Sequence, residues 1–235
     1  MALVNSSTNT EIFISSFVGI ERCDMILQLA KLLRNAKAVL KENGYNNILV
    51  IDNTYSQELY NTVSIEGSTG VADYRGITIV SGAGYTPREF IKYDHVLIFH
   101  GINIDKDLLT CSDNVFVITN YEKNLNKRIG KKMEAIELHK PVTVIYRDQI
   151  GHKVTEKNIN HYLSIPDRAV RSQTIVKFDQ KDYMLYLALT FNGSQKIKNY
   201  SEGFIKALCA MVCVILNWDD ATVSKYFKKL IKRAR

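Results

Sequence analysis

The chain has 235 residues, of which 46% are apolar and 10% aromatic, and this composition excludes a disordered protein and suits one with a sizeable core. It has only three prolines, no linker rich in Pro, Ser or Gly and no internal repeat, so we expect a single domain over residues 1–235. The formal net charge is +7, and most of it comes from the last eleven residues, which carry six basic residues and no acid.

The N-terminal sequence and the spacing of the cysteines indicate the expected location of the protein. The N-terminus lacks the basic and apolar regions of a signal peptide. The most apolar run, 207–216, has about half the length that spans a bilayer. None of the four cysteines forms a C-x-x-C pair, which argues against a zinc site. We therefore expect a cytoplasmic protein with reduced thiols and no bound metal.

Strands and helices alternate along the chain. Short runs rich in Val and Ile predict strands at 12–15, 47–52, 77–80, 95–99, 114–119 and 142–146. Few of them alternate with polar residues, as is typical of strands buried on both faces of a parallel sheet. Apolar residues at helical spacing predict helices over 23–40 (ended by Asn43-Gly44), 122–138 and 201–217. This order predicts an α/β fold with a doubly wound, mostly parallel sheet and helices on both faces.

The end of the chain, 219–235, predicts a basic amphipathic helix with an apolar stripe on one face. Aromatic residues on one side and lysines on the other are typical of an interfacial membrane anchor. The residues expected to bind an anionic membrane surface or partner are Tyr226, Phe227, Lys228, Lys229, Leu230, Ile231, Lys232 and Arg233. Two alternatives stay open: the stripe packs on the protein's own sheet, or the lysines contact nucleic acid, which is the less favoured partner.

The segment 13–33, FISSFVGIERCDMILQLAKLL, has the strand, loop and helix order of a phosphate-binding loop. In a doubly wound sheet ligands bind at the carboxyl ends of the strands, so loop 16–24 is the expected site. Yet the loop keeps a single glycine, Gly19, and no Gly-Lys-Ser/Thr follows it. His100, just past a predicted strand near the same edge, is interpreted as a structural histidine.

The order of several segments over about 11–217 resembles the ParA/MinD group of deviant-Walker P-loop ATPases. SSFVGIERCDMILQLAKLL matches, without a gap, the family's K-G-G-x-G-K-T loop and the helix after it. NILVIDNTYSQ, KYDHVLIFHGIN and LSIPDRAVRSQ resemble three later motifs of the family. The resemblance implies a P-loop NTPase-like fold, a homodimer packed across the nucleotide face and a basic helix at the C-terminal end.

Compared position by position with the family's loop, the resemblance implies that this loop lacks the residues needed for ATP hydrolysis. Phe17 stands at the family's signature lysine, and Val18 and Glu21 replace glycines that let N–H groups close around phosphates. Arg22 stands at the P-loop lysine and keeps its charge. Cys23 replaces the Ser/Thr that binds Mg²⁺, and a thiol is a poor ligand for so hard an ion.

Two further positions lie on later strands. Asp52 survives where the family has an acid near switch I, whereas Phe99 stands where the family has the aspartate of the metal shell. We therefore expect no ATP hydrolysis and no cofactor, while Arg22 and the helix N-terminus leave ATP binding without hydrolysis open.

The resemblance then implies a non-catalytic positioning or assembly factor. It would recruit a partner machine, such as a pilus, secretion or conjugation apparatus, to a membrane or polar site, as a pseudo-ATPase nearest to TadZ/CpaE-type proteins. We expect a homodimer with Phe17 and Val18 at its contact, peripheral at the inner face of the membrane. The alternatives are a divergent nucleotide-binding partitioning ATPase and a DNA-binding partition accessory protein.

Overall fold

The structure, a computed structural model, describes residues 12–42, 44–64, 70–82, 85, 87–136, 140–151 and 153–234. These residues form one sheet of eight strands in the order β3-β4-β2-β5-β1-β6-β7-β8. The strands are β1 (Phe13–Gly19), β2 (Ile48–Asp52), β3 (Val71–Tyr74), β4 (Ile77–Ser81), β5 (His95–Gly101), β6 (Asn114–Thr119), β7 (Val142–Gln149) and β8 (Val170–Lys177). Only β3 runs antiparallel to its neighbour, β4.

The helices in the described part of the chain lie between and after these strands. They are α1 (Asp24–Arg34), α2 (Ala36–Leu40), α3 (Glu58–Val63), α4 (Lys106–Cys111), α5 (Lys123–Ile136), α6 (Glu156–Tyr162), α7 (Gln180–Asn192), α8 (Glu202–Leu216) and α9 (Asp220–Arg233). One face of the sheet packs against α1, α2, α3, α7, α8 and α9. The other face packs against α4, α5 and α6. The expected doubly wound, mostly parallel α/β fold is confirmed.

The six predicted strands are all present, and the structure adds two at the edges of the sheet, β3 and β8. The helix predicted over 23–40 is interrupted at Asn35, whose side chain donates to the Lys31 carbonyl at 2.8 Å. The Asn35 backbone N–H bonds instead to the Leu32 carbonyl, so α1 ends there and the second helix, α2, ends at Leu40. The predicted stop at Asn43 and the predicted end at Leu138 lie outside the described residues.

The C-terminal helix α9 packs on the body of the protein. Asp219 caps it by accepting from the Thr222 N–H at 2.8 Å. Phe227, Leu230 and Ala234 are buried in the same core as α1 and α8. Arg235 lies outside the described residues. Of the two placements considered for the stripe, the structure shows packing on the protein itself and not exposure for insertion into a membrane.

No helix in the described part of the chain has both the length and the apolar character needed to cross a membrane.

Candidate functional site

The candidate site lies at the carboxyl edge of the sheet, where residues 20–23 join β1 to α1. A cleft of about 510 Å³ opens there between this loop, α3 and α7. Its lining residues are Glu21, Ser56, Glu58, Asn61, Thr62, Tyr186 and Thr190. Two of these side chains are carboxylates and none is basic, so the cleft repels a polyphosphate.

Phe17 and Val18 belong to strand β1, and both are buried, at 0% and 1% exposure. The Phe17 ring stacks on Phe116 of the neighbouring strand, with ring centroids 5.0 Å apart. Phe99, opposite Phe17 on β5, is buried in the same core. The expectation that Phe17 and Val18 form a dimer contact is therefore wrong, because side chains of successive strand residues point into the two cores on either side of the sheet.

Gly19 is the last residue of β1 and has a structural role. Its φ is +126°, and a Cβ placed on it would lie 1.9 Å from the Ile118 carbonyl oxygen. The next residue, Ile20, donates its N–H to that same carbonyl at 2.9 Å. This glycine therefore allows the close approach of β1 and β6.

Glu21 reaches from the loop across the carboxyl edge of the sheet. Its carboxylate accepts from the Ser56 hydroxyl at 3.2 Å and from the Ile102 N–H at 3.4 Å. Gly101 leaves room for it, since a Cβ there would lie 2.4 Å from the Glu21 Cγ. The loop thus places a negative charge between the ends of β2 and β5, at the edge of the sheet where ligands bind in doubly wound folds.

Arg22 forms ion pairs with residues of the same chain. Its guanidinium pairs with Asp148 at 2.9 Å and with Asp24 at 3.2 Å. It also lies over the rings of Tyr186, at 4.4 Å from the centroid, and Tyr183, at 5.5 Å. The expectation that Arg22 leaves an anion site open is not met by this geometry.

Cys23 occupies the N-cap position of α1, where backbone N–H groups point out of the helix. Its N–H donates to the Glu58 carboxylate at 3.0 Å. The other oxygen of Glu58 accepts from the Tyr186 hydroxyl. Burial, together with the charges of Glu58 and Asp24, raises the pKa of the Cys23 thiol far above its usual value. A buried, protonated thiol cannot ligate Mg²⁺.

A buried ion pair lies behind this loop. Both oxygens of Asp24, which is fully buried, accept from the Arg147 guanidinium at 2.6 Å. Burial, the largest single cause, would raise the pKa of Asp24, but the charge and hydrogen bonds of Arg147, the Arg22 charge and the Met25 N–H together hold that pKa below its usual value. Asp24 also accepts from the Met25 N–H at 2.9 Å, so two carboxylates of the chain satisfy the start of α1.

Asp52 anchors the start of α3. One oxygen accepts from the Thr54 N–H and hydroxyl, at 3.2 and 2.6 Å, and the other accepts from the Tyr60 N–H at 2.9 Å. Burial raises the pKa of Asp52, although these hydrogen bonds oppose the shift. The side chain is fully buried, so it is a structural acid and not one that faces a metal shell.

The residues present do not fit a nucleotide with its Mg²⁺. The loop donor at Cys23 and the cation Arg22 are already paired with carboxylates, and Glu21 extends across the cleft edge. A phosphoryl group needs such donors, a cation and a metal held ready for it. The same contacts oppose the remaining expectation of nucleotide binding through the start of α1.

His100 takes part in a buried chain of hydrogen bonds. Its Nδ1 lies 3.4 Å from both the Asn53 amide nitrogen and the Asp105 N–H, so Nδ1 is the acceptor and Nε2 donates to Ser16 at 3.0 Å. The Ser16 hydroxyl lies 2.6 Å from that of Ser112. A histidine that donates to the serine cannot act as its base, which agrees with a structural role.

The C-terminal residues singled out from the sequence divide into two groups. Phe227 and Leu230 are buried, and Tyr226 and Ile231 are partly buried against the same core. The basic residues of this group are exposed on the opposite side, namely Lys228, Lys229, Lys232 and Arg233.

Sequence reasoning missed a second basic surface, on α5. Lys123, Lys127, Arg128 and Lys131 are exposed and make no ion pair with a described residue. The ammonium groups of Lys123 and Lys127 lie 5.3 and 5.7 Å from the centre of the Tyr162 ring. The basic residues of the run KNLNKRIGKK could have indicated this surface from the sequence.

The sheet order and the helices on both faces define a P-loop NTPase-like fold of the ParA/MinD type. The chain is similar to a ParA family ATPase from Chlorobium tepidum TLS, with a TM-score of 0.53 and 13% identity, over 83% of this chain and 98% of that one. At that identity the likeness shows the fold alone.

Two further solved structures are MinD proteins of Aquifex aeolicus, and their likeness is too weak to carry an argument. The one in complex with MinC has a TM-score of 0.49 and 12% identity, over 94% of this chain and 96% of that one. The other has a TM-score of 0.45 and 14% identity, over 94% of each chain. No protein-family model matches the sequence, and no curated protein matches it significantly.

Proposed function

We propose that this protein is a non-catalytic positioning or assembly factor built on a ParA/MinD-like fold. It recruits a partner apparatus, of the pilus, secretion or conjugation kind, to a membrane or polar site. The contact between the Glu58 carboxylate and the Cys23 N–H carries this proposal, because an acid of the chain takes the place of a phosphate oxygen. The pairing of Arg22 with Asp24 and Asp148 supports it.

An exposed apolar face supports the protein-binding part of the proposal. On α7, Met184 is 56% exposed and Phe191 is 88% exposed. Leu187 and Ala188, between them at helical spacing, are partly exposed. Exposed apolar side chains that cluster on one helix face are typical of surfaces that contact another protein.

Calorimetric titration with ATP and Mg²⁺ tests the non-catalytic assignment. We expect no saturable heat up to about 1 mM ATP, and none for Glu58→Gln, since Glu21 and the pairs of Arg22 remain in that variant. Micromolar, magnesium-dependent binding that Arg22→Ala abolishes would instead support the divergent ATPase.

The basic face of α5 favours a second candidate, a DNA-binding partition accessory protein. Four exposed basic side chains without a described carboxylate partner form a surface that attracts a phosphate backbone. Fluorescence anisotropy with duplex DNA tests it. On this candidate Lys127→Glu with Lys131→Glu weakens binding, whereas the charge-matched pair Arg88→Glu with Lys92→Glu, also exposed, leaves it nearly unchanged.

A further inference from the structure

A recess of about 460 Å³ lies between residues 196–198 and the last turns of α9. Four lysines line it: Lys196 and Lys198 come from the short segment, and Lys228 and Lys232, one turn apart, come from α9. No lining residue is a carboxylate. None of the four lysines makes an ion pair with a described residue.

The recess is held in shape by the core beneath it. Its apolar lining is Ile197, Ile231 and Ala234. Ile197 is 1% exposed and Ala234 is 2% exposed, and both belong to the main core. The lysines are therefore brought together only while α9 is packed on the protein.

A fifth ammonium group lies behind the segment. Lys31 is 3% exposed, and its Nζ donates to the Gln195 carbonyl at 2.7 Å and to the Gln28 side chain at 3.0 Å. It has no carboxylate partner among the described residues. Burial and then the Arg75 charge lower the pKa of Lys31 to about 8, so near neutral pH it still adds positive charge next to the recess.

Like charges gathered in one concave place repel one another unless an anion joins them. We propose that the recess binds a small anion with two or more phosphate groups, each phosphate between lysines of the two segments. Lysine binds phosphate as a compact point charge, and the volume is that of a small-ligand site. Ile231 then receives an apolar part of the ligand. This proposal goes beyond the proposed function and does not depend on it.

If α9 attracted anions only through its net charge, without a shaped site, any two of its lysines would contribute equally to binding. The chain offers a matched control for this alternative. Lys225 and Lys229 lie on α9 as well, but they do not line the recess. They lie against the Tyr226 ring, at 5.0 and 5.4 Å from its centre. Reversing the charges of Lys225 and Lys229 changes the net charge as much as reversing the charges of Lys228 and Lys232.

Calorimetry of the full chain with inorganic tripolyphosphate, at about 150 mM salt, tests the proposal. We expect saturable binding of one ligand per chain. Lys228→Glu with Lys232→Glu, and separately Lys196→Glu with Lys198→Glu, should each weaken it by about tenfold or more. Lys225→Glu with Lys229→Glu should change it by less than about threefold. All these lysines are exposed, so the variants should keep the melting temperature of the wild type.

Vesicles carrying cardiolipin, which has two phosphate groups in one headgroup, present the same phosphate chemistry on a lipid. Co-sedimentation that is lost in Lys196→Glu with Lys198→Glu assigns the recess to a lipid headgroup, whereas binding of tripolyphosphate alone assigns it to a soluble ligand. The proposal is overturned if the wild type binds neither tripolyphosphate nor these vesicles. It is also overturned if the Lys225 and Lys229 substitutions weaken binding as much as those of the recess pairs, or if the Lys196 and Lys198 substitutions leave the affinity unchanged. Binding of duplex DNA in competition with tripolyphosphate, with equal dependence on all three pairs, also overturns it.

Discussion

The carboxylate of Glu58 accepts a hydrogen bond from the backbone N–H of Cys23 at 3.0 Å, at the start of α1. The start of a helix carries a partial positive charge and unpaired donors, and in a phosphate-binding loop these meet the ligand. Here they meet an acid that the chain carries on α3, and Tyr186 fixes that acid from the other side.

Replacing Glu58 by Ala should destabilise the protein without creating a nucleotide site. Loss of this carboxylate leaves the Cys23 N–H and the Tyr186 hydroxyl without their acceptor, which should lower the free energy of unfolding by about 2 kcal/mol. Urea unfolding measures the change. Glu134→Ala, at an exposed position on α5, should change it by less than about 0.5 kcal/mol. Equal losses in the two variants would contradict the role given to Glu58.

The Asp24–Arg147 pair should show strong coupling. Arg147→Met leaves the Asp24 carboxylate buried and should cost about 3–5 kcal/mol of unfolding free energy. Adding Asp24→Asn removes this buried charge, whose remaining partner is Arg22 at 3.2 Å, and should restore a large part of that loss. A double-mutant cycle by urea unfolding measures the coupling, and additive losses would show that the two residues act independently.

Acid should destabilise the protein through two buried histidines. Burial lowers the pKa of both His95 and His100 from 6.5 to about 4. Between these values the unfolded chain binds more protons than the folded one, so stability falls as the pH falls from 6.5 to about 4. Each histidine should contribute about 3 kcal/mol by the end of that window. In unfolding experiments across this range, His100→Asn should remove about half of the histidine-dependent loss. If the free energy of unfolding of His100→Asn depended on pH as steeply as that of the wild type, the role given to His100 would be contradicted.

Phe17→Asp should unfold the chain instead of separating a dimer. The ring is fully buried in the main core and stacks on Phe116, so a carboxylate there has no partner and should cost more than about 4 kcal/mol. Circular dichroism and light scattering together measure folding and mass. Phe191→Asp, at an 88% exposed position, should leave the melting temperature nearly unchanged. A folded Phe17→Asp monomer beside a wild-type dimer would restore the dimer-contact interpretation.

The C-terminal helix should contribute to stability through its apolar stripe. Leu230 is fully buried, so Leu230→Ala should cost about 2–5 kcal/mol. Lys229→Ala, on the exposed side, should cost less than about 0.5 kcal/mol. Thermal melting compares them. A helix that leaves the body to enter a membrane would instead tolerate Leu230→Ala in melting experiments and lose vesicle binding.

The central strands could be predicted because they are continuous apolar runs, whereas the two edge strands could not. β8 is half exposed along most of its length and carries Arg171, Gln173 and Lys177, so its sequence lacks an apolar run. β3 has only four residues, one of them an aspartate. Both are strands only because a neighbour supplies their hydrogen bonds.

The poor fit of loop 16–24 to a phosphate could be predicted from residue identity, but the contacts that its residues make within the chain could not. Glu58 is 35 residues from Cys23, and Asp148 is 126 residues from Arg22. Such pairings depend on where the sheet places α3 and the end of β7, and no local pattern reports them. The expectation for Phe17 failed for a related reason, since the strand extends to Gly19 and carries that ring into the core.

The internal pairing at the start of α1 also has a consequence for protein engineering. Changing Arg22 to a lysine would leave Asp24 and Asp148 with a weaker partner, and Phe17→Lys would bury an ammonium group among aromatic rings. Each of these single steps towards a phosphate-binding loop therefore lowers stability before any nucleotide can bind and compensate for it. Engineering a nucleotide site into this loop would therefore require several substitutions introduced together, because no single one is compensated by a bound ligand.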